Sequence, residues 1–183
     1  MGSVTALPWG RPITRDDLDT MPDDGHRYEL IDGVLVVSPA PRVVHQRVVS
    51  RLLVILHQAC PAGAEAFTAP LDVALADDTV MQPDLLVAWT TDFTERDLPT
   101  APVLAIEVLS PSTRAFDLLL KKDRLQRAGC AHYWVVDPDV PAISAWRLVD
   151  GSYVDAGAAT RDESFEVIEP FTLSFTPSAL VES

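Results

Sequence analysis

Apolar residues form a near-continuous run from Val103 to Leu109, interrupted by a single acid, Glu107. A run of that length and density predicts a strand buried on both faces. Beyond it, Ser110-Pro111-Ser112 breaks the strand, and the spacing predicts a helix that starts on Ser112 or Thr113 as cap and ends at Gly129. On that helix Asp117, Lys121 and Arg124 recur at four and three residues and so share a face. Upstream, Tyr28-Glu29-Leu30-Ile31 and Val34-Leu35-Val36-Val37 flank Asp32-Gly33, a two-residue hairpin signal. Val44, Val48, Leu52, Ile55 and Leu56 then recur at helical spacing and predict an amphipathic helix from about Val43 to Ala59, with Arg47, Arg51 and Gln58 turned outward. Two or three short strands are expected between Phe67 and Trp89, broken by the acidic turn at Asp77-Asp78. Asp84 stands at the mouth of the last.

The chain continues as a polar connection from Thr90 to Thr100 and, after the predicted helix, as a buried strand from His132 to Asp137. A second Asp-Gly hairpin centres on Asp150-Gly151, with strands from Ile143 to Val149 and from Ser152 to Val154. The tail from Phe165 to Phe175 is expected to form one or two edge strands, with Pro170 keeping it off the sheet centre. Residues 1–27 read as an N-terminal appendage carrying one short helix, with Thr14 as cap and Asp16-Asp17 in its first turn. Residues 28–183 read as the main domain, and the two are treated as one unit. The order of elements predicts a mixed α/β (α+β) domain with a central sheet.

At 183 residues with 48% hydrophobic content, the chain can bury the core of one globular domain. No apolar run approaches the roughly 20 residues of a membrane span, and the first residues do not make a secretory signal, so a cytoplasmic protein with no membrane partner is expected. Cys60 and Cys130 lack metal-ligand spacing and read as reduced, semi-buried thiols. The formal net charge of −13 argues against sequence-independent binding to DNA through a broadly basic surface. Eight of the 14 basic residues nevertheless fall in two short segments, Arg42, Arg47 and Arg51 in one and Arg114, Lys121, Lys122, Arg124 and Arg127 in the other. Solvated helix faces account for such clusters on their own, and their convergence on the segment that holds the buried acid gives them functional interest.

A carboxylate at Glu107 demands a partner, because an unpaired buried charge costs several kcal/mol or more. Lys121 on the following helix can supply one. Adjacent strands would present Asp84 and Glu107 on one face, and two carboxylates so placed are reconciled by a shared hard cation such as Mg²⁺, which takes one or two carboxylates and keeps its waters. Lys121 would then orient or deprotonate an attacking water, or offset charge on a phosphate. Glu29 is a third acid in an apolar stretch and either assists at the metal or pairs with Arg27. Asp84 without the other acids reads first as a strand-start or turn residue, His45 as a helix-start packing residue, and Asp117 as an ion-pair partner of Lys121 one turn on.

Taken in order, Tyr28-Glu29-Leu30-Ile31-Asp32-Gly33, Ser38-Pro39-Ala40-Pro41 with His45, Pro83-Asp84, Glu107-Val108-Leu109-Ser110-Pro111-Ser112, Asp117 with Lys121, and Gly129 with Tyr133-Trp134-Val135-Val136-Asp137-Pro138 closely resemble the Uma2 family. That family is assigned to endonucleases of the PD-(D/E)XK restriction-endonuclease-like superfamily, and the resemblance runs from about Thr14 to Phe175. It implies a restriction-endonuclease-like central mixed sheet flanked by helices, Asp84 as the aspartate of the PD element, Glu107 as the second acid, Mg²⁺ with Mn²⁺ as substitute, and nucleic acid, DNA foremost, as substrate. The superfamily's lysine two residues beyond the acid is Leu109 here. The resemblance implies that Lys121 replaces it from the helix, with Lys122 as the competing choice and His45 and Asp117 as secondary site residues. Leu125 and His132 depart from the family's usual aromatic and acid. A homodimer would supply two symmetric sites for two strands. A different class of function, a catalytically inactive binding or regulatory module on the same fold, is motivated by the net charge and by Leu125.

Overall fold

The computed structural model describes residues 10–111 and 114–182. The elements are α1 Arg15–Leu18, β1 Arg27–Ile31, β2 Val34–Ser38, α2 Val43–Ala59, β3 Ala64–Thr68, β4 Val73–Ala76, β5 Thr79–Met81, β6 Leu85–Trp89, β7 Leu104–Val108, a π-helical turn Phe116–Lys121 that runs into α3 Lys122–Ala128, β8 His132–Asp137, β9 Ala142–Val149, β10 Ser152–Thr160, β11 Phe165–Val167, β12 Leu173–Phe175 and α4 Pro177–Val181. The fold is mixed α+β, with a large mixed sheet flanked by helices. Among the described residues, no helix is long and apolar enough to cross a membrane.

The large sheet has six strands in the order β10-β9-β8-β7-β6-β3, and its one parallel pair is β7 with β8. Parallel neighbours need a crossover, and the π turn with α3 provides it. A second sheet, β2-β1-β5-β4, grows from the first hairpin. There Asp32 and Gly33 have φ of 49° and 77°, the positive values that a tight two-residue turn between twisted strands requires. Alternation along β7 divides the core. Leu104, Ile106 and Val108 pack with α2, α4 and the β11–β12 hairpin, whereas Ala105 and Leu109 pack with Ile31, Met81 and Leu125 on the side of the second sheet and α3. Glu107 is in step with Ala105 and Leu109, and therefore lies between the two sheets.

The first hairpin, α2 and β7 lie where the apolar pattern puts them. The expected strand from Phe67 to Leu75 is instead two strands in different sheets, β3 and β4, separated around Pro70. β10 runs six residues past Val154 because a bulge between Asp155 and Gly157 lets Ala158, Ala159 and Thr160 resume pairing with β9. The tail forms its own two-stranded sheet, and Phe165, Phe171 and Leu173 cover the core. The sequence pattern did not announce α4. It is held by Arg47 and Arg51, which donate to the carbonyls of Val181 at 3.1 Å and Ala179 at 2.7 Å. The proposed caps Ser112 and Thr113 lie outside the described residues. Cys130 is buried, and Cys60 is part-exposed.

Candidate functional site

Asp84 immediately precedes β6, whose first residue pairs with Ile106, so the antiparallel register carried one step further sets Asp84 opposite Glu107. Directly opposed residues in an antiparallel pair project on one face. Three donors fix the Asp84 carboxylate. The backbone N–H of Val108 reaches Oδ2 at 2.9 Å, His45 Nε2 lies 3.0 Å from the same oxygen, and Arg27 Nη1 donates to Oδ1 at 2.9 Å. His45 comes from the first turn of α2. Arg27 and Glu29 are two apart on β1 and share a face.

The second half of the site surrounds Lys121. Its Nζ lies 2.9 Å from Glu29 Oε1, 3.2 Å from Glu107 Oε1 and 3.7 Å from Asp117 Oδ1. All four side chains are at most 3% exposed. The π turn carries both Asp117 and Lys121 inward, the kind of local rewinding that recurs at functional positions in helices. Tyr133 Oη anchors that turn by donating to the Asp117 carbonyl at 2.6 Å, and the Gln82 backbone N–H donates to Glu29 Oε1 at 2.8 Å. Five chain segments thus converge: β1, the approach to β6, β7, the π turn and the start of α2.

Electrostatics follow from burial and crowding. Burial pushes the Glu107 carboxyl well above its usual range, and the charges of Asp117, Asp84 and Glu29 add to that push against Lys121. Burial works the other way on Lys121, but the charges of Glu107, Glu29 and Asp117 outweigh it and raise the ammonium above its ordinary value. Asp84 would also rise by burial. The hydrogen bond from His45 and the charges of Arg27, His45 and Lys121 instead hold it below the usual carboxylate range. Arg27 holds its proton more tightly still, because Asp84, Glu29 and Glu107 overcome its desolvation. Glu107 Oε2, Glu29 Oε2 and His45 Nδ1 are buried and have no hydrogen-bond partner among the described residues.

Of the residues singled out in the sequence, Glu29, His45, Asp84, Glu107, Asp117 and Lys121 are neighbours in one cluster. Lys122 is not among them. Its ammonium sits 3.4 Å above the centre of the Trp146 ring, on the other side of its helix turn. Apart from Lys121, the two basic segments do not converge on the acids. Arg42 pairs with Asp139, Arg114 with Asp137, and Arg124 and Arg127 with Asp32, while Arg47 and Arg51 hold α4. Sequence reasoning placed Arg27 only as a partner of Glu29 and passed over Gln82. The signal for Arg27 was its two-residue offset from Glu29 on one strand; nothing local marked Gln82, whose role is carried by its backbone. A cavity of about 560 Å³ opens beside Asp84, Arg27 and His45, whereas Glu29, Glu107 and Lys121 line none of the cavities described.

In this chain the neighbouring strands of the central mixed sheet bring Asp84 and Glu107 beside the helix-borne Lys121. Its fold matches the crystal structure of a "putative nuclease belonging to DUF820 from Anabaena variabilis ATCC 29413", with a TM-score of 0.73 and 22% identity, over 93% of this chain and 98% of that one. The family model for Uma2, described as "Putative restriction endonuclease", matches residues 15–178, and the chain belongs to that family. No curated protein matches the sequence.

Restriction-endonuclease-like proteins generally use divalent metals. The residues here fit such an ion. Four buried carboxylates, Glu29, Asp84, Glu107 and Asp117, face two permanent cations, Arg27 and Lys121, and the orphaned Glu107 Oε2 is a hard oxygen without a partner. Among the described residues, no group of three or more His, Cys, Asp or Glu forms a cage that could hold an ion. Two carboxylates with water completing the shell are a set that Mg²⁺ accepts.

Proposed function

We propose that the protein is a metal-dependent endonuclease that hydrolyses phosphodiester bonds of nucleic acid, DNA foremost, in the cytoplasm. Asp84 and Glu107 would hold Mg²⁺, or Mn²⁺ in its place. When bound, the ion supplies Lewis-acid polarisation of the phosphate and a water of lowered pKa. The chain's own residues then have distinct tasks. Lys121, kept protonated by its three carboxylate neighbours, acts as a fixed positive charge that orients the attacking water and offsets charge gathering on the phosphate; it does not serve as a base. Glu29 sets the position of that ammonium and is itself held by the Gln82 N–H. His45 and the Val108 N–H hold Asp84 in place.

The observation that carries this reading is the meeting of Glu29 and Glu107 within 3.2 Å of one ammonium, beside an Asp84 tied to the next residue of the same strand. Purified protein incubated with plasmid and oligonucleotides in Mg²⁺ or Mn²⁺ should cut them, and Asp84→Asn and Glu107→Gln should each remove nearly all turnover. Cutting that survives both changes ends the proposal. Sedimentation of the active species checks the homodimer that would place a site on each strand.

A second reading is favoured by the enclosure of Glu29, Glu107 and Lys121, which line none of the cavities described: a nuclease-fold binding module whose buried ions serve the fold alone. It expects no divalent-ion binding. Calorimetry with Mg²⁺ and Mn²⁺ separates the two, since saturable heat lost in Glu107→Gln excludes the module.

A further inference from the structure

Two cavities meet at one pair of side chains. The larger, of about 560 Å³, is within the range of small-molecule sites, and a smaller one of about 190 Å³ adjoins it. Arg27, His45 and the Pro39-Ala40-Pro41 turn line both. Arg27 donates through Nη1 to Asp84 and to the Gln82 carbonyl, and its Nη2 meets no acceptor among the described residues. His45, with its side chain 8% exposed, uses Nε2 on Asp84 and leaves Nδ1 without a partner. Arg27 Nη2 is therefore an unsatisfied donor on the wall shared by both cavities, whereas His45 Nδ1 is buried. On the far wall of the larger cavity, His26 and Tyr28 stand edge to face with ring centres 6.4 Å apart.

We infer that Arg27, beside His45, provides a phosphate subsite for one unpaired nucleotide of the substrate strand, with its base in the larger cavity against Tyr28 and His26. The identity of the ligand rests on the nuclease reading. The chemistry of the subsite rests on the donors. A guanidinium carries five N–H groups and can hold a carboxylate and a phosphate together. Other carboxylates around the cavity are already engaged: Asp19 pairs with Arg96, Asp72 accepts from Gln82 Nε2, and Asp84 has its three donors, while Asp23 is exposed to solvent.

Charge favours an unpaired strand over a duplex. Duplex binding neutralises many phosphates with a track of cations, whereas Arg42, Arg114, Arg124 and Arg127 are matched here to Asp139, Asp137 and Asp32, and the chain carries a net charge of −13. A single strand can be held by few phosphate contacts and by stacking on aromatic rings. Arg27 is thus a positioning residue that sets the strand beside Asp84.

The test reads binding and does not depend on cutting. Fluorescence anisotropy with a short labelled single-stranded oligonucleotide, and with the same strand in a duplex, is measured in Ca²⁺. The single strand should bind more tightly than the duplex, and Arg27→Gln should weaken it by about tenfold or more, the loss expected for a charge-assisted contact. Arg27→Lys should recover part of that loss. Arg147→Gln, in a wall of a cavity that shares no residue with these two, should bind like the parent protein. Should Arg27→Gln fail to fold, Tyr28→Ala, which removes a stacking wall of the larger cavity, should likewise weaken single-strand binding. Absent binding by the parent protein, equal affinity for duplex and single strand, or undiminished binding by a folded Arg27→Gln would each overturn the subsite. Cleavage in Mg²⁺, measured separately, decides the nuclease reading, so that binding without cutting removes that reading and leaves the subsite standing.

Discussion

The backbone N–H of Val108 donates to Asp84 Oδ2 over 2.9 Å, so the acid at the mouth of β6 is pinned to the residue that follows the acid of β7. This one bond holds the two carboxylates in register even though 23 positions separate Asp84 from Glu107 in the chain. Asp84→Asn can keep an oxygen for Val108 and His45 but then sets its amide NH₂ against Arg27. Removing the charge should cost about 1.5–3 kcal/mol of stability, the range for hydrogen bonds to charged groups. Urea denaturation checks that figure, and plasmid cutting by the same variant should fall to background.

Lys121 neutralises a pocket that it cannot leave without cost. Replacing it with methionine keeps the bulk and strands Glu29, Glu107 and Asp117 together, which should destabilise the fold by about 3–5 kcal/mol. Adding Glu107→Gln to Lys121→Met should recover part of the loss, because one of the repelling charges is gone. A double-mutant cycle by chemical denaturation measures this coupling, and strictly additive losses would contradict the ion cluster.

The two central acids should give pH dependences of opposite sign. Glu107 has its folded pKa raised, first by burial and then by its acidic neighbours, so the stability it contributes is complete below the ordinary carboxylate range and is lost as pH rises through the folded value. Asp84 has its folded pKa lowered, because the hydrogen bond from His45 and the charges of Arg27, His45 and Lys121 outweigh its burial. Its contribution is complete above the unfolded value and is lost as pH falls through the folded one. In metal-free buffer, Glu107→Gln should flatten the decline in urea midpoint on the rising-pH side, and Asp84→Asn should flatten the decline on the acid side. If both substitutions alter the same limb, the assigned protonation states are wrong.

What the sequence made legible was whatever a short window can carry. Glu107 stood out because an acid inside Val103–Leu109 has no solvent to face, and the first hairpin because Asp32-Gly33 supplies two positive-φ residues. The spacing of Asp117 and Lys121 was enough to put both on one face, although a π turn and not a plain helix delivers them. Relations across sheets were not legible. Arg27 meets Asp84 only because β1 of one sheet passes the mouth of β6 in the other, and the acidic partners of the basic segments, such as Asp32, Asp137 and Asp139, lie far from them in the chain. Helix α4 was hidden because its anchors are arginines of α2 more than 120 residues earlier. β3 and β4 merged in the reading because apolar content alone does not say which sheet a strand joins.

The adjacent lysines provide the most direct separation of roles. Lys121 is enclosed by carboxylates, whereas Lys122 rests on the Trp146 face, where burial lowers its pKa and Asp155 opposes the shift. Lys122→Ala loses a cation–π contact, so it should lower stability by about 0.5–1 kcal/mol and leave cutting at the parent rate. Lys121→Ala removes the fixed charge beside the acids and should slow cutting by about 10²–10³, the usual consequence of deleting one electrostatic donor at a reacting centre. Single-turnover cleavage with excess enzyme measures both rates at saturation and keeps substrate affinity out of the comparison. A slow Lys122→Ala beside a normal Lys121→Ala would mean that the helix presents its other face to the substrate during turnover, because no rotamer of Lys122 on the Trp146 side can replace an ammonium held between Glu29 and Glu107.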